Sequence, residues 1–127
     1  MDFQVDPHLP IPIHTQIVEE ITHRIASGEL RGGEQLPSIR KFCVELRINP
    51  NTVLKAYREL EELGFVRSHH GLGFFIVEKG VAPAKKQWHG KAREEVERIV
   101  GQALAVGIDL DEIIALARAV AERRKAR

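Results

Sequence analysis

Four side chains near the middle of the chain have the chemistry to read a pattern of hydrogen-bond donors and acceptors. Asn51, Lys55 and Arg58 recur at a spacing that sets them on the outward side of one helix, with Thr52 beside them. Amide and ammonium groups presented in this way pair with base edges in a major groove, which makes Asn51, Lys55 and Thr52 candidates for that contact. Arg40 and Lys41, a dozen residues earlier, suit phosphate, a contact that sets affinity without sequence preference. Between Ser38 and Arg58 five bases (Arg40, Lys41, Arg47, Lys55, Arg58) stand against one acid, Glu45, although the whole chain carries only +1. The rest of the first eighty residues is net acidic. A local basic patch on a near-neutral body suits one face turned to a polyanion, and a merely solvated helix face is the alternative reading of the same charges.

The elements that must hold these groups follow from periodicity. Ile13, Ile17, Val18, Ile21 and Ile25 form one helical stripe, closed at Ser27-Gly28. The proline-rich stretch before it, Asp6 to Pro12, is expected to run extended. After a turn and short extended piece at 32–37, Ile39, Phe42, Cys43 and Leu46 mark a second helix from about Ser38. A third begins at Asn49-Pro50, where Asn caps free amides and Pro at the first position loses no bond. Val53, Ala56, Tyr57 and Leu60 are its inward stripe, and Gly64 lies past its end. Apolar or β-branched runs at 65–68 and 74–77 flank His69-His70-Gly71-Leu72-Gly73, a β-hairpin with a glycine-containing tip. Three helices followed by a hairpin is the order of a winged helix. The short link between the second and third helices is the core of a helix-turn-helix, whose second helix enters the major groove.

Other chemistry finds little support. Composition is ordinary for a globular chain, at 43% hydrophobic and 29% charged, which argues against wholesale disorder. Cys43 is the only cysteine, so no intrachain disulfide is possible, and its place on the apolar stripe favours packing over redox sensing. His69 and His70 are adjacent and project to opposite faces of a strand, with no third ligand at metal spacing; surface histidines of a wing are the better reading, and no metal or other cofactor is expected. No apolar run approaches the ~18 residues of a membrane helix, and the start, Met-Asp-Phe-Gln, lacks a basic segment followed by an apolar one. A cytoplasmic protein without membrane contact is expected.

Leu36-Pro37-Ser38-Ile39-Arg40, Asn49-Pro50-Asn51-Thr52-Val53, Lys55-Ala56-Tyr57-Arg58-Glu59-Leu60 and the Gly71-Leu72-Gly73 tip together resemble the GntR family of bacterial regulators. The Asn-Pro-Asn-Thr-Val version and the short tail resemble its YtrA-like branch. The likeness is strong over roughly residues 10 to 78 and looser in the tail. It implies a winged-helix homodimer, commonly a repressor, on an inverted-repeat operator of double-stranded DNA. It also implies phosphate contact by Arg40 and DNA contact by the start of the third helix and the glycine tip. On that footing the DNA-binding candidates are Ser38, Arg40, Lys41, Asn49, Asn51, Thr52, Lys55, Arg58, His70, Gly71 and Gly73. Many members carry arginine where this chain has Pro50 and Leu54, so arginine-to-base contacts do not carry over.

Beyond residue 78, the stretch 79–91 carries Gly80, Pro83 and the lysine pair Lys85-Lys86 with few core candidates and is read as a linker. Two helices follow in 92–127. Val96, Ile99, Val100 and Leu104 mark the first, ending at Gly107. The second has an entry signal in Asp109, Glu112 and the Ile108–Ile113 pair, then a wide apolar face of Leu110, Ile113, Ile114, Leu116, Ala117 and Val120. One helical hairpin cannot cover both faces, so these residues are assigned to dimerisation. The expected fold is mainly α (α+β): a winged helix-turn-helix over 1–78, then a two-helix dimerisation hairpin. An enzyme is not expected: the related aminotransferase-like fusion needs hundreds of residues, and only about forty follow the linker. Two rivals remain. One is an effector-gated regulator with a small-molecule site at the dimer interface, its effector unknown; the other is a winged helix used for protein contacts, which gives Asn51, Lys55 and Arg58 no purpose.

Overall fold

The computed structural model describes residues 1–126; the last residue of the expected tail, 127, lies outside them. The elements are α1 (Ile13–Ala26), α2 (Ile39–Leu46), α3 (Pro50–Glu62), β1 (Val66–His69), β2 (Gly73–Ile76), α4 (Val81–Ala105) and α5 (Leu110–Lys125), with a single 3-10 turn at Glu78–Gly80. The chain divides into two compact units, residues 1–89 and 90–127.

In the first unit the stripes foreseen on α1 and α3 meet. Ile17, Ile21, Val53, Ala56, Tyr57 and Leu60 are all 0% exposed. Tyr57 lies at the centre, its ring centroid 6.1 Å from that of Phe42 and 5.1 Å edge-on from that of Phe74. Its hydroxyl donates to the Pro37 carbonyl at 2.8 Å, which satisfies the one polar atom the ring takes into the core. Burial, helped by the charge of Glu45, pushes that hydroxyl's pKa up and keeps it a donor. Thr22 is buried on α1 beside the apolar stripe because its hydroxyl donates back to the Val18 carbonyl at 2.7 Å.

The hairpin pairs Val66 with Ile76 and His69 with Gly73 in antiparallel register. The extended piece before α2 adds to its free edge: Leu36 N–H donates to Phe74 O at 2.9 Å, Ile76 N–H to Glu34 O at 2.8 Å, and Gln35 bridges Phe75. The wing sheet is therefore the two-stranded hairpin, with Gln35 bridging its free edge.

Two expectations need correction. Residues 6–12 do not run extended. Asp6 opens a turn, its carboxylate accepting the His8 N–H at 2.9 Å and its carbonyl the Leu9 N–H at 3.3 Å. An Asp-Pro start favours that conformation. Gln16 then clamps the turn, its side chain donating to Asp6 O at 2.8 Å and Ile11 O at 2.9 Å. The stretch 79–91 is not an irregular linker, because α4 begins at Val81. Pro83 is only the third residue of that helix, where its missing N–H costs nothing. Ala84 is fully buried and the Trp88 ring packs 4.8 Å from His23 of α1. Gly80 lets the backbone dock on Gly64-Phe65; a Cβ there would lie 2.9 Å from the Phe65 Cα.

In the second unit α4 ends in a glycine closure: Gly107 takes a φ of +89°, and Ile108 N–H donates to Ala103 O at 3.0 Å. Asp109 then caps α5 by accepting the Asp111 N–H at 3.4 Å. No residue of 90–126 is buried. Val96 is 61% exposed, Leu116 62% and Val106 78%. Ile99, Val100, Ala103, Val106, Ile108, Ile113 and Leu116 line an open apolar cleft of about 650 Å³ between the two helices.

Candidate nucleic-acid interface

Three residues, 47–49, join α2 to α3. Arg47 turns the corner in the left-handed region at φ 58°, and Ile48 N–H returns to Cys43 O at 3.0 Å. Asn49 caps α3 by accepting the Asn51 N–H at 2.8 Å, with Pro50 next as foreseen. Anchored on its buried stripe, α3 turns Asn51, Lys55 and Arg58 outward, all three exposed. Thr52 is half-buried, so it borders that face rather than standing on it.

Ser38 caps α2, its hydroxyl accepting the Lys41 N–H at 3.1 Å. Arg40 and Lys41 occupy the exposed first turn. Cations beside the open amides of a helix N-terminus suit an anion. Ser38 and Asn49 thus serve as helix caps. Cys43 is 8% exposed, on the stripe assigned to it.

The wing tip is closed by Leu72 N–H to His69 O at 2.9 Å, with Gly71 at φ +77° and Gly73 at φ +109°. These are backbone conformations that L side chains seldom adopt, and so the glycines are required. His70 is exposed beside them. His69 is engaged on the sheet, 5.3 Å edge-on from Phe75 and 3.3 Å from the Arg67 guanidinium. Glu61 ties α3 to β1, accepting from the Ser68 hydroxyl at 2.8 Å and its N–H at 3.1 Å. Those bonds, and then the charge of Arg58, hold its carboxyl below the ordinary range.

The structure adds Leu72, 64% exposed between the two tip glycines, to the residues placed on this surface. An apolar residue at a glycine tip was the available sign for it; Arg47, already counted in the basic patch, is exposed in the helix-turn-helix corner. No helix among the described residues is long and apolar enough to cross a membrane.

Known proteins bear on this surface. The profile of bacterial regulatory proteins of the gntR family matches residues 13–76. The HTH-type transcriptional regulator YhcF of Bacillus subtilis is 36% identical over 104 residues, 81% of this chain and 84% of that one. The HTH-type transcriptional repressor YtrA of the same organism is 30% identical over 110 residues, 87% of this chain and 85% of that one. Among solved structures, a GntR family transcriptional regulator from Listeria monocytogenes superposes with a TM-score of 0.70 at 28% identity, over 90% of this chain and 97% of that one.

Proposed function

The chain belongs to the GntR family of bacterial regulatory proteins and to its YtrA-like branch, and from that premise we propose that it represses transcription as a homodimer on an inverted-repeat operator. Its relatives are transcriptional regulators, a non-enzymatic role. The observation that carries the reading is α3: Val53, Ala56, Tyr57 and Leu60, all 0% exposed, fix it rigidly while Asn51, Lys55 and Arg58 stand outward. A helix held so firmly by one face, with amide, ammonium and guanidinium groups on the other, suits base-edge readout. Arg40 and Lys41 supply phosphate contacts, and the Gly71–Gly73 tip approaches the backbone or minor groove. The division of labour is a reading head in the first unit and a dimerisation tail in the second, whose apolar faces a second copy covers.

The test is selection of bound sequences from random DNA by the purified protein, followed by titration against salt. A two-fold symmetric motif is expected, with a log–log slope of about −0.9 per phosphate contacted. A flat salt dependence and no recovered motif would favour a protein-contact role for the winged helix.

A further inference from the structure

Gln35 is an exposed side chain on the extended piece that bridges the free edge of β2, and its amide Nε2 donates to the carbonyl of Leu72 at the wing tip, 37 residues away. The contact crosses β2 at Gly73. A Cβ on Gly73 would lie 2.9 Å from Gln35 Nε2, so glycine there provides clearance for the brace as well as the φ of +109°.

The base of the brace is firm. Gly33 N–H donates to Ile76 O at 2.8 Å, and the flanking bonds of Glu34 and Leu36 lock the extended piece on β2. The same piece runs directly into Pro37, which accepts the Tyr57 hydroxyl of α3, and Ser38, which caps α2. One six-residue segment therefore touches the wing tip with a side chain, α3 through a carbonyl and α2 through a hydroxyl.

We infer that Gln35 is a positioning residue for DNA binding: it fixes where the Gly71–Gly73 tip stands relative to α3, so that both can engage one duplex at once. This rests on the DNA-binding reading above and adds to it a residue that itself touches no DNA. Physically, a two-stranded tip closed by its own turn frays readily. A fixed donor on the bridged edge lowers the number of tip conformers to be lost on binding, which is affinity gained by pre-organisation.

Gln35→Met keeps the length and neutrality of the side chain and removes the donor, while Gln35→Lys keeps a donor of similar reach. Two readouts are needed. In the free protein, amide hydrogen exchange at Gly71 and Leu72 is expected to rise several-fold in Gln35→Met and to return toward wild type in Gln35→Lys, the thermal midpoint staying unchanged. On the selected operator, Gln35→Met is expected to bind about two- to tenfold more weakly, the share of a single hydrogen bond. Footprint protection should fade at the wing-contacted positions and the base preference of α3 should persist. Unchanged tip exchange in Gln35→Met would overturn the brace. Faster exchange with unchanged affinity would overturn its role in binding. Failure of the wild-type protein to bind any DNA, visible before a variant is made, would remove the underlying reading while the exchange result still decided whether the brace exists.

Discussion

Arg47 is the one residue other than glycine with positive φ among those described, at 58°. A side chain in the left-handed region costs on the order of 1 kcal/mol, and the helix-turn-helix corner demands it of whatever residue stands there. Arg47→Gly is expected to stabilise the head by up to about that amount, read as a higher urea midpoint at unchanged slope. The same substitution removes one of the five bases between Ser38 and Arg58, and a flatter salt dependence of DNA binding would place Arg47 among the phosphate contacts. The residues proposed to contact DNA separate by kind of contact. Asn51→Ala and Lys55→Ala are expected to relax preference at particular base pairs, each by about 1–3 kcal/mol. Arg40→Ala should weaken all sequences alike. Competition between cognate and scrambled duplexes distinguishes the two, and untouched specificity in Lys55→Ala would displace α3 from the groove. At this scale the Asn49-Pro50 cap was legible, because it acts within a few residues of itself. Gln35 and Thr22 were not. Their partners are a distant carbonyl and a carbonyl one turn back, and neither leaves a trace in hydrophobic spacing.

Elements were read best where one helix or hairpin carries its own pattern. The stripes on α1, α2 and α3 and the glycine tip are local signals, and each reappears in the structure. The first turns of α4 failed that test for a physical reason. Gly80 and Pro83 are breaker chemistry in isolation, but Gly80 is needed for backbone approach to Phe65 and Pro83 falls where a helix has amides to spare. Only tertiary packing, through buried Ala84, reveals the helix. The tie between α3 and β1 yields an acid-side expectation. Glu61 is held below its ordinary range by its bonds to Ser68, so its contribution is present above the unfolded carboxylate pKa and is lost as pH falls through the lower folded value. Glu61→Gln should therefore lower stability at neutral pH and shrink the difference from wild type as the buffer is acidified below the ordinary glutamate range. Denaturant titrations at a series of pH values would show it, and a gap that stayed constant into strong acid would count against the tie.

At the scale of the whole chain, the tail's sequence pattern announced an apolar excess. The structure gives it a measure, since no residue of 90–126 is buried. A cut after His89 keeps Ala84 and Trp88 with the head and is expected to leave a folded monomer. Against a full operator its affinity should fall by about 10² to 10⁴, because the second half-site is no longer engaged intramolecularly. Sedimentation and titration on whole and half operators check both parts, and a truncated protein that still dimerised with full affinity would take the dimer contact away from the tail. The head also carries its own clock. Cys43 is the single thiol of the chain, 8% exposed, with its sulfur 3.1 Å from the Arg40 carbonyl one turn back on α2. A thiol reagent can reach it only when α2 opens, so the labelling rate in native buffer measures the free energy of that opening, each tenfold of slowing corresponding to about 1.4 kcal/mol. Operator DNA gripped by Arg40 and Lys41 should slow the reaction and scrambled DNA should slow it less, so that occupancy can be timed on unmodified protein without a label on either partner.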